Sequence, residues 1–139
     1  MDNMKMKLST LWIFVMFNYL YADVMGLMDP VLLNQFLTGN LDGGITINER
    51  FLFYAAILME IPIAMVLLSR LLNYAANRWA NIIAGTIKTV VMFGSFFVGS
   101  GPTEYYLFFG TIEIVCTGYI VFIAWNWRED QGSYSLAEA

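Results

Sequence analysis

The sequence predicts an all-α fold, an integral membrane four-helix bundle with both termini on the inner side of the membrane. Its composition is the first observation: 59% of the 139 residues are apolar and only 13% are charged, whereas soluble domains carry about 25% charged residues. Its length is the second. A helix needs roughly 20 residues to cross the hydrocarbon core, so four spans and their connections use nearly the whole chain. We therefore expect a single four-span domain, residues 1–139.

The first apolar run, residues 8–28, follows a short basic start. It is longer than the apolar region of a secretory signal and has no small-residue cleavage site after it, so it predicts a retained transmembrane helix. Asp29 ends this helix because the residue before a proline disfavours helical backbone. Residues 31–38 are expected to form a short amphipathic helix on the outer membrane surface. The stretch GNLDGGITINE that follows has the composition of a loop.

Three further apolar runs, residues 51–72, 79–98 and 104–127, predict the remaining spans, and the polar tail 128–139 is expected to be flexible. With four spans, Arg50 is the only basic residue near the span ends on one side of the membrane. The other side carries Lys5, Lys7, Arg70, Arg78 and Arg128. Because positive charge accumulates in cytoplasmic segments, we expect both termini inside, in a multi-pass protein of the cell's inner, cytoplasmic membrane.

Several classes of function are excluded by residues that the sequence lacks. There is no histidine and only one cysteine, Cys116, which rules out His-based metal sites, a Cys-x-x-Cys redox pair and an intrachain disulfide. A Ser–His or Cys–His nucleophile is excluded for the same reason. The net charge of −4 and the lack of a basic run argue against a nucleic-acid partner. We expect no cofactor, no metal and no catalytic residue.

Three charged residues lie at the same depth in three different predicted spans. Glu60 and Glu113 each lie nine residues below the outer start of their spans, and Lys88 lies nine residues above the inner start of its span. With a rise of ~1.5 Å per residue, each is about 13 Å deep, near the middle of a ~30 Å core. A charge there costs roughly 2.5–3.5 kcal/mol. We therefore expect all three side chains to face inward and satisfy one another.

This cluster has a structural and a functional interpretation. In the first, Lys88 pairs with a glutamate and only sets the register of the helices. In the second, the cluster forms a polar cavity that binds a small ligand or relays protons, as charges inside a membrane often do. Asp23 either closes the outer mouth of that cavity, or simply snorkels towards the membrane surface or hydrogen-bonds to Tyr19 or Tyr54. The candidate ligand- or proton-binding residues are Glu60, Lys88, Glu113, Asp23 and Asn18, of which Asn18 is also typical of an interhelical hydrogen bond.

Three functions remain open. The preferred one is a non-enzymatic protein that binds a small ligand or lipid at this cluster or takes part in proton or solute movement. The second is a structural or accessory subunit of a larger membrane complex. The third is a membrane enzyme that acts on a lipid or quinone, with Glu60 or Glu113 as general acid–base. Membrane lipid, a small-molecule ligand and further membrane subunits are the expected partners. A homo-oligomer would form through Gly85, Gly94, Gly110 and Gly118.

Two strings, EIPIAM at 60–65 and NRWANIIAG at 77–85, carry a resemblance to a known family. Together with LSTLWIFVMFNYLYAD before them and TIEIVCTGYIVFIAWNW after them, they resemble a family of small bacterial four-span membrane proteins, a domain of unknown function. The resemblance covers nearly all of the chain. It implies a bacterial origin and the same four-helix fold, and it implies no activity.

Overall fold

The computed structural model describes residues 2–98 and 101–128, and within these ranges the protein is helical apart from a minimal β-ladder. The elements are α1 (Asp2–Met28), α2 (Pro30–Thr38), β1 (Asn40–Leu41), β2 (Ile45–Thr46), α3 (Glu49–Leu71), α4 (Tyr74–Ser95) and α5 (Glu104–Asn126). The all-α class predicted from the sequence is confirmed. Of the tail predicted to be flexible, all but Arg128 lies outside the described residues.

Side-chain caps set the starts of three helices. Asp29 caps α2, where its carboxylate accepts a hydrogen bond from the Val31 N–H at 2.9 Å. Asn48 and Asn73 cap α3 and α4 in the same way. Such caps satisfy amide groups that have no partner within the helix. Because Asn73 supplies this cap, α4 begins at Tyr74 rather than at residue 79, the predicted start of the third span.

The predicted loop before α3 contains the two short strands. They pair antiparallel, with Asn40 opposite Thr46 and Leu41 opposite Ile45. Gly43 and Gly44 turn the chain between them with φ angles of 87° and 78°, a left-handed backbone that glycine adopts without steric cost. The connection between α2 and α3 is therefore a tight hairpin rather than an irregular loop.

The four long helices pack so that α1 contacts α3 and α5, and α4 contacts the same two helices. The apolar core lies towards the end of the molecule that holds the first half of α1. Leu8, Trp12 and Val15 of α1 pack there against Met65 of α3 and Ile120 of α5. The opposite half of the helices is less tightly filled, and the candidate site lies there.

Large apolar side chains face outward and many polar ones face inward, the reverse of a soluble domain. Phe14, Phe53 and Phe122 are more than half exposed, whereas Lys88 and Glu113 are buried. Among the described residues, three helices are long and apolar enough to cross a membrane: Asn3–Met28, Glu49–Leu71 and Glu104–Asn126. This pattern is compatible with a membrane protein.

The third predicted span, α4, is not among those three helices. It carries Asn77, Asn81 and Lys88, which lower its mean hydropathy, and all three are buried against the other helices. Its outward face is apolar, with Ile83 and Val90 more than half exposed. The most polar side chains of the helix therefore lie on the side that the protein covers, while Thr86 is exposed.

A homo-oligomer of this protein is expected to form through four glycines, two of which are covered by the chain itself and two of which are open. A Cβ on Gly110 would overlap the side chains of Met92 and Phe96, so this glycine is already covered by the chain itself. Gly85 is covered as well. Gly94 and Gly118 have no atom within 4 Å of an added Cβ and lie in open space.

Replacing Gly85 with alanine is expected to destabilise the contact between α4 and α5. The new methyl group would lie 2.7 Å from Val121 Cγ2 and 3.2 Å from the backbone oxygen of Thr117. Overpacking of this kind typically costs about 1–3 kcal/mol. The matched control is Gly94→Ala on the same helix, which we expect to be neutral or slightly stabilising. Unfolding by SDS titration in mixed micelles measures both, and equal effects would contradict the packing described here.

Candidate functional site

A cavity of about 130 Å³ lies between α1, α3, α4 and α5; we call it the polar cavity. Three charged residues line it: Asp23 from α1, Lys88 from α4 and Glu113 from α5. The other lining residues are Tyr19, Ala22, Leu58, Met59, Val91, Met92, Ser95, Tyr106, Phe109 and Gly110. Two of the three charges expected at the middle of the membrane, Lys88 and Glu113, therefore do meet in one place.

Lys88 is only 2% exposed. Its Nζ lies over the ring of Tyr19, 3.8 Å from the ring centroid, a cation–π arrangement worth up to about 2 kcal/mol where water is excluded. Within residues 2–98 and 101–128, its ammonium group forms no hydrogen bond and no ion pair. Since no fully buried side-chain nitrogen or oxygen in these ranges lacks a hydrogen-bond partner, the ammonium group must face open space, which the polar cavity supplies. An ammonium group carries three N–H donors. All three are therefore available to an acceptor placed in the cavity.

Glu113 is 3% exposed and accepts a short hydrogen bond from the hydroxyl of Tyr19. Tyr19 thus contacts both charges, with its ring face on Lys88 and its hydroxyl on Glu113. From the sequence, Tyr19 is expected only as a candidate hydrogen-bond partner of Asp23. Its spacing of four residues from Asp23 was the available signal, because residues four apart lie on the same face of a helix.

Asp23 lies at the rim of the polar cavity with its side chain exposed. Neither hydrogen bond considered for it, to Tyr19 or to Tyr54, is present in the described part of the chain, where Tyr54 is 68% exposed. Asp23 also attracts the Lys88 ammonium electrostatically. Its exposed place at the rim fits both the closing of the cavity mouth and snorkelling, so the role of Asp23 stays a prediction.

Asn18 does not line the polar cavity. Its amide nitrogen donates a hydrogen bond of 2.8 Å to the backbone oxygen of Phe109, which joins α1 to α5. Buried side-chain amides commonly connect membrane helices in this way. The position of Asn18 is thus that of an interhelical contact.

Glu60 is not brought to Lys88 and Glu113; it is exposed and lines no cavity described here. The expectation that all three charges face one another is therefore wrong for this residue. The buried stripe of α3 runs through Pro62, Met65 and Ser69. At about 100° per residue, Glu60 lies about 200° from Pro62 and about 180° from Ser69. Residues at the same predicted depth in the membrane, such as Glu60 and Glu113, need not lie on the inward-facing sides of their helices.

A buried polar network, which the sequence did not predict, lies in the half of the molecule that holds the apolar core. The Asn81 side-chain oxygen accepts hydrogen bonds from Trp12 Nε1 at 2.7 Å and from the Ser69 hydroxyl at 3.3 Å. The Asn81 amide nitrogen donates to the backbone and side-chain oxygens of Asn77 at 2.9 and 2.7 Å. The network joins α1, α3 and α4. Its signal in the sequence is the spacing of Asn77, Asn81 and Lys88, which places them on one face of α4.

A second depression, of about 280 Å³, lies between α1 and α3; we call it the apolar groove. Most of its lining is apolar, from Met16, Phe17, Leu20, Met59, Pro62 and Ile63. Tyr19 and Asp23 complete it. Tyr19, Asp23 and Met59 also line the polar cavity, so the groove and the cavity adjoin.

The polar cavity offers hydrogen-bond donors at Lys88, acceptors at Asp23 and Glu113, and hydroxyl groups at Ser95 and Tyr106. In the part of the chain that the structure describes, no group of three or more His, Cys, Asp or Glu residues is placed to hold a metal ion. Cys116 is buried at 8% exposure and lies outside the cavity.

One protein family matches almost the full length of the chain. Its model covers residues 1–133, and its description is a family of unknown function, DUF6326. The chain belongs to this family. No curated protein and no solved structure matches it.

Proposed function

We propose that this member of DUF6326 is a multi-pass membrane protein that binds a small polar ligand in the polar cavity, with Lys88 as the main contact. One observation carries the proposal: the Lys88 side chain is almost fully buried, its ammonium group faces the polar cavity, and it has no hydrogen bond or ion pair among the described residues. A buried charge without such partners is costly. A bound acceptor in the cavity would supply them.

The distribution of side chains supports a position in the membrane. Apolar side chains cover the outside of the long helices, and the charged groups of the interior face the polar cavity. We propose that α4 crosses the membrane together with the three more apolar helices. Its polar residues point inward, and its outer face, with Ile83 and Val90, would contact lipid. The result is a four-span bundle with α2 on the outer surface.

The basic residues support an orientation with both termini inside. Arg70, at the end of α3, donates a 3.0 Å hydrogen bond to Ser9 near the start of α1. Arg78, near the start of α4, donates to the backbone oxygens of Ala124 and Trp125 at the end of α5. These basic groups therefore lie at the same end of the molecule, as the excess of positive charge on a cytoplasmic side requires. We propose the cytoplasmic membrane of a bacterium as the location.

The binding role is favoured over the enzymatic alternative. An enzyme that uses Glu60 loses support, because that side chain points away from the cavity. For Glu113, the Tyr19 hydroxyl already occupies one carboxylate oxygen, so we assign it to holding the site together. The experiment below also tests the accessory-subunit role.

The test is native mass spectrometry of protein extracted from its own membrane in mild detergent. We expect the wild type to retain a small molecule and Lys88→Met, which keeps the side-chain length and removes the charge, to lose it at least tenfold. Glu60→Gln is the matched control, because it removes an exposed charge outside the cavity, and it should retain the molecule. Ala22→Leu fills the cavity without changing a charge and should also lose the molecule.

A wild type without any bound molecule would contradict the proposal, as would equal retention by Lys88→Met and the wild type. If Lys88→Met does not fold, the proposal is tested by Ala22→Leu instead, and undiminished retention of the molecule by that variant would contradict it. A partner chain retained in fixed stoichiometry, with no small molecule, would favour the accessory subunit instead.

A further inference from the structure

We infer that the ligand is a single-chain amphiphile with a small hydroxyl-bearing headgroup, which places its head in the polar cavity and its chain in the apolar groove. This inference rests on the proposed function and adds to it the class of ligand and its route. The observation behind it is that the cavity and the groove share Tyr19, Asp23 and Met59. Together they form one depression with a polar inner part and an apolar outer part.

The groove opens between two helices that are apolar enough to cross a membrane, α1 and α3. Phe17, Leu20 and Ile63 on its walls are 51%, 56% and 46% exposed. In a membrane these side chains contact hydrocarbon rather than water. A molecule that reaches the cavity by this route arrives from the lipid and leaves its chain in the groove.

The charges select the headgroup. Lys88 offers hydrogen-bond donors, and Asp23 offers acceptors; neither has a hydrogen bond or ion pair in the described ranges. A hydroxyl group can accept a hydrogen bond from Lys88 and donate one to Asp23. A carboxylate head has no hydrogen-bond donor to offer Asp23, and an ammonium head has no acceptor to offer Lys88. A neutral head with hydroxyl groups can satisfy both residues.

The volume limits the size of the head. An apolar cavity of roughly 150 Å³ accommodates benzene, so the 130 Å³ of the polar cavity suits a head of about the same size, such as glycerol. The hydrocarbon chain of the ligand adds little affinity of its own, because the groove and the bilayer are both apolar. Discrimination between lipids should therefore come from the hydroxyl groups.

The experiment uses the full chain in phosphatidylcholine nanodiscs and measures lipid adducts by native mass spectrometry. The probe is monooleoylglycerol, compared with methyl oleate, which has the same chain and no hydroxyl, and with oleic acid, which has an anionic head. We expect the wild type to retain one monooleoylglycerol per chain, at least tenfold above either comparison lipid. Lys88→Met should lose this preference.

The position of the ligand's hydrocarbon chain is tested by Ile63→Trp, which fills the apolar groove at an exposed position outside the polar cavity. Its matched control is Leu67→Trp, one turn further along α3, at a residue that is 59% exposed and lines neither depression. We expect Ile63→Trp to lower the retention of monooleoylglycerol at least tenfold and Leu67→Trp to leave it unchanged. Retention of the molecule from the native membrane is measured in the same two variants.

Three results would overturn the inference. The first is equal retention of methyl oleate and monooleoylglycerol, the second is a preference for oleic acid, and the third is undiminished retention in Ile63→Trp. With any of these, a native ligand that still depends on Lys88 would leave the proposed function standing. If the native ligand is absent as well, both the inference and the proposed function fail.

Discussion

Asn81→Leu is expected to destabilise the protein by about 2–4 kcal/mol, the largest effect of any single substitution considered. Leucine has a similar size and removes four hydrogen bonds at once. Trp12 Nε1 and the Ser69 hydroxyl lose their shared acceptor, and the Asn77 oxygens lose their donor. Interhelical hydrogen bonds in membranes average about 0.6 kcal/mol and reach about 1.7 kcal/mol. The expected loss is large because two interhelical bonds, from Trp12 and Ser69, and two bonds within α4, to Asn77, depend on one buried side chain.

The free energy of unfolding from an SDS titration in mixed micelles measures this effect. Asn126→Leu is the matched control, because that amide is exposed and bonds only to the backbone oxygen of Phe122 in its own helix. We expect the control to change stability by no more than about 0.5 kcal/mol. A loss below about 1 kcal/mol for Asn81→Leu would mean that the network contributes little to holding α1, α3 and α4 together.

Glu113→Gln is expected to destabilise the protein by about 1–3 kcal/mol, because it removes a negative charge that lines the same cavity as Lys88 without forming an ion pair with it. Glutamine keeps the shape and can still accept the Tyr19 hydrogen bond. The loss is therefore electrostatic: Lys88 retains only the exposed Asp23 as an opposite charge that attracts it in the cavity. Combining Glu113→Gln with Lys88→Met should restore at least half of the lost stability, since no buried cation then remains.

This double-mutant cycle separates the charge interaction from general damage to the fold. Glu60→Gln serves as the control for the loss of an acidic group, and we expect it to be neutral or stabilising, because Glu60 faces outward on α3 and a charge that faces lipid is costly. If the effects of Glu113→Gln and Lys88→Met simply add, the two charges do not stabilise each other. The assignment of Glu113 to holding Lys88 in the cavity would then be wrong.

The all-α class, the three most apolar helices and the depth of Lys88 and Glu113 in their helices could be predicted from the sequence alone. These properties are local, because composition, apolar run length and helix breakers act within one segment. The helix starts at Pro30 and Tyr74 follow from the neighbouring caps, Asp29 and Asn73, although the sequence pattern predicts them at residues 31 and 79.

Only the tertiary structure decided which face each helix turns inward. The packing of Pro62, Met65 and Ser69 sets the rotation of α3 and turns Glu60 outward. The rotation of α1 places Tyr19 between Lys88 and Glu113. Depth along a helix follows from counting residues, but rotation about its axis depends on contacts with residues far away in the chain. For that reason the polar cavity, the Asn81 network and the apolar groove emerged only from the packed helices.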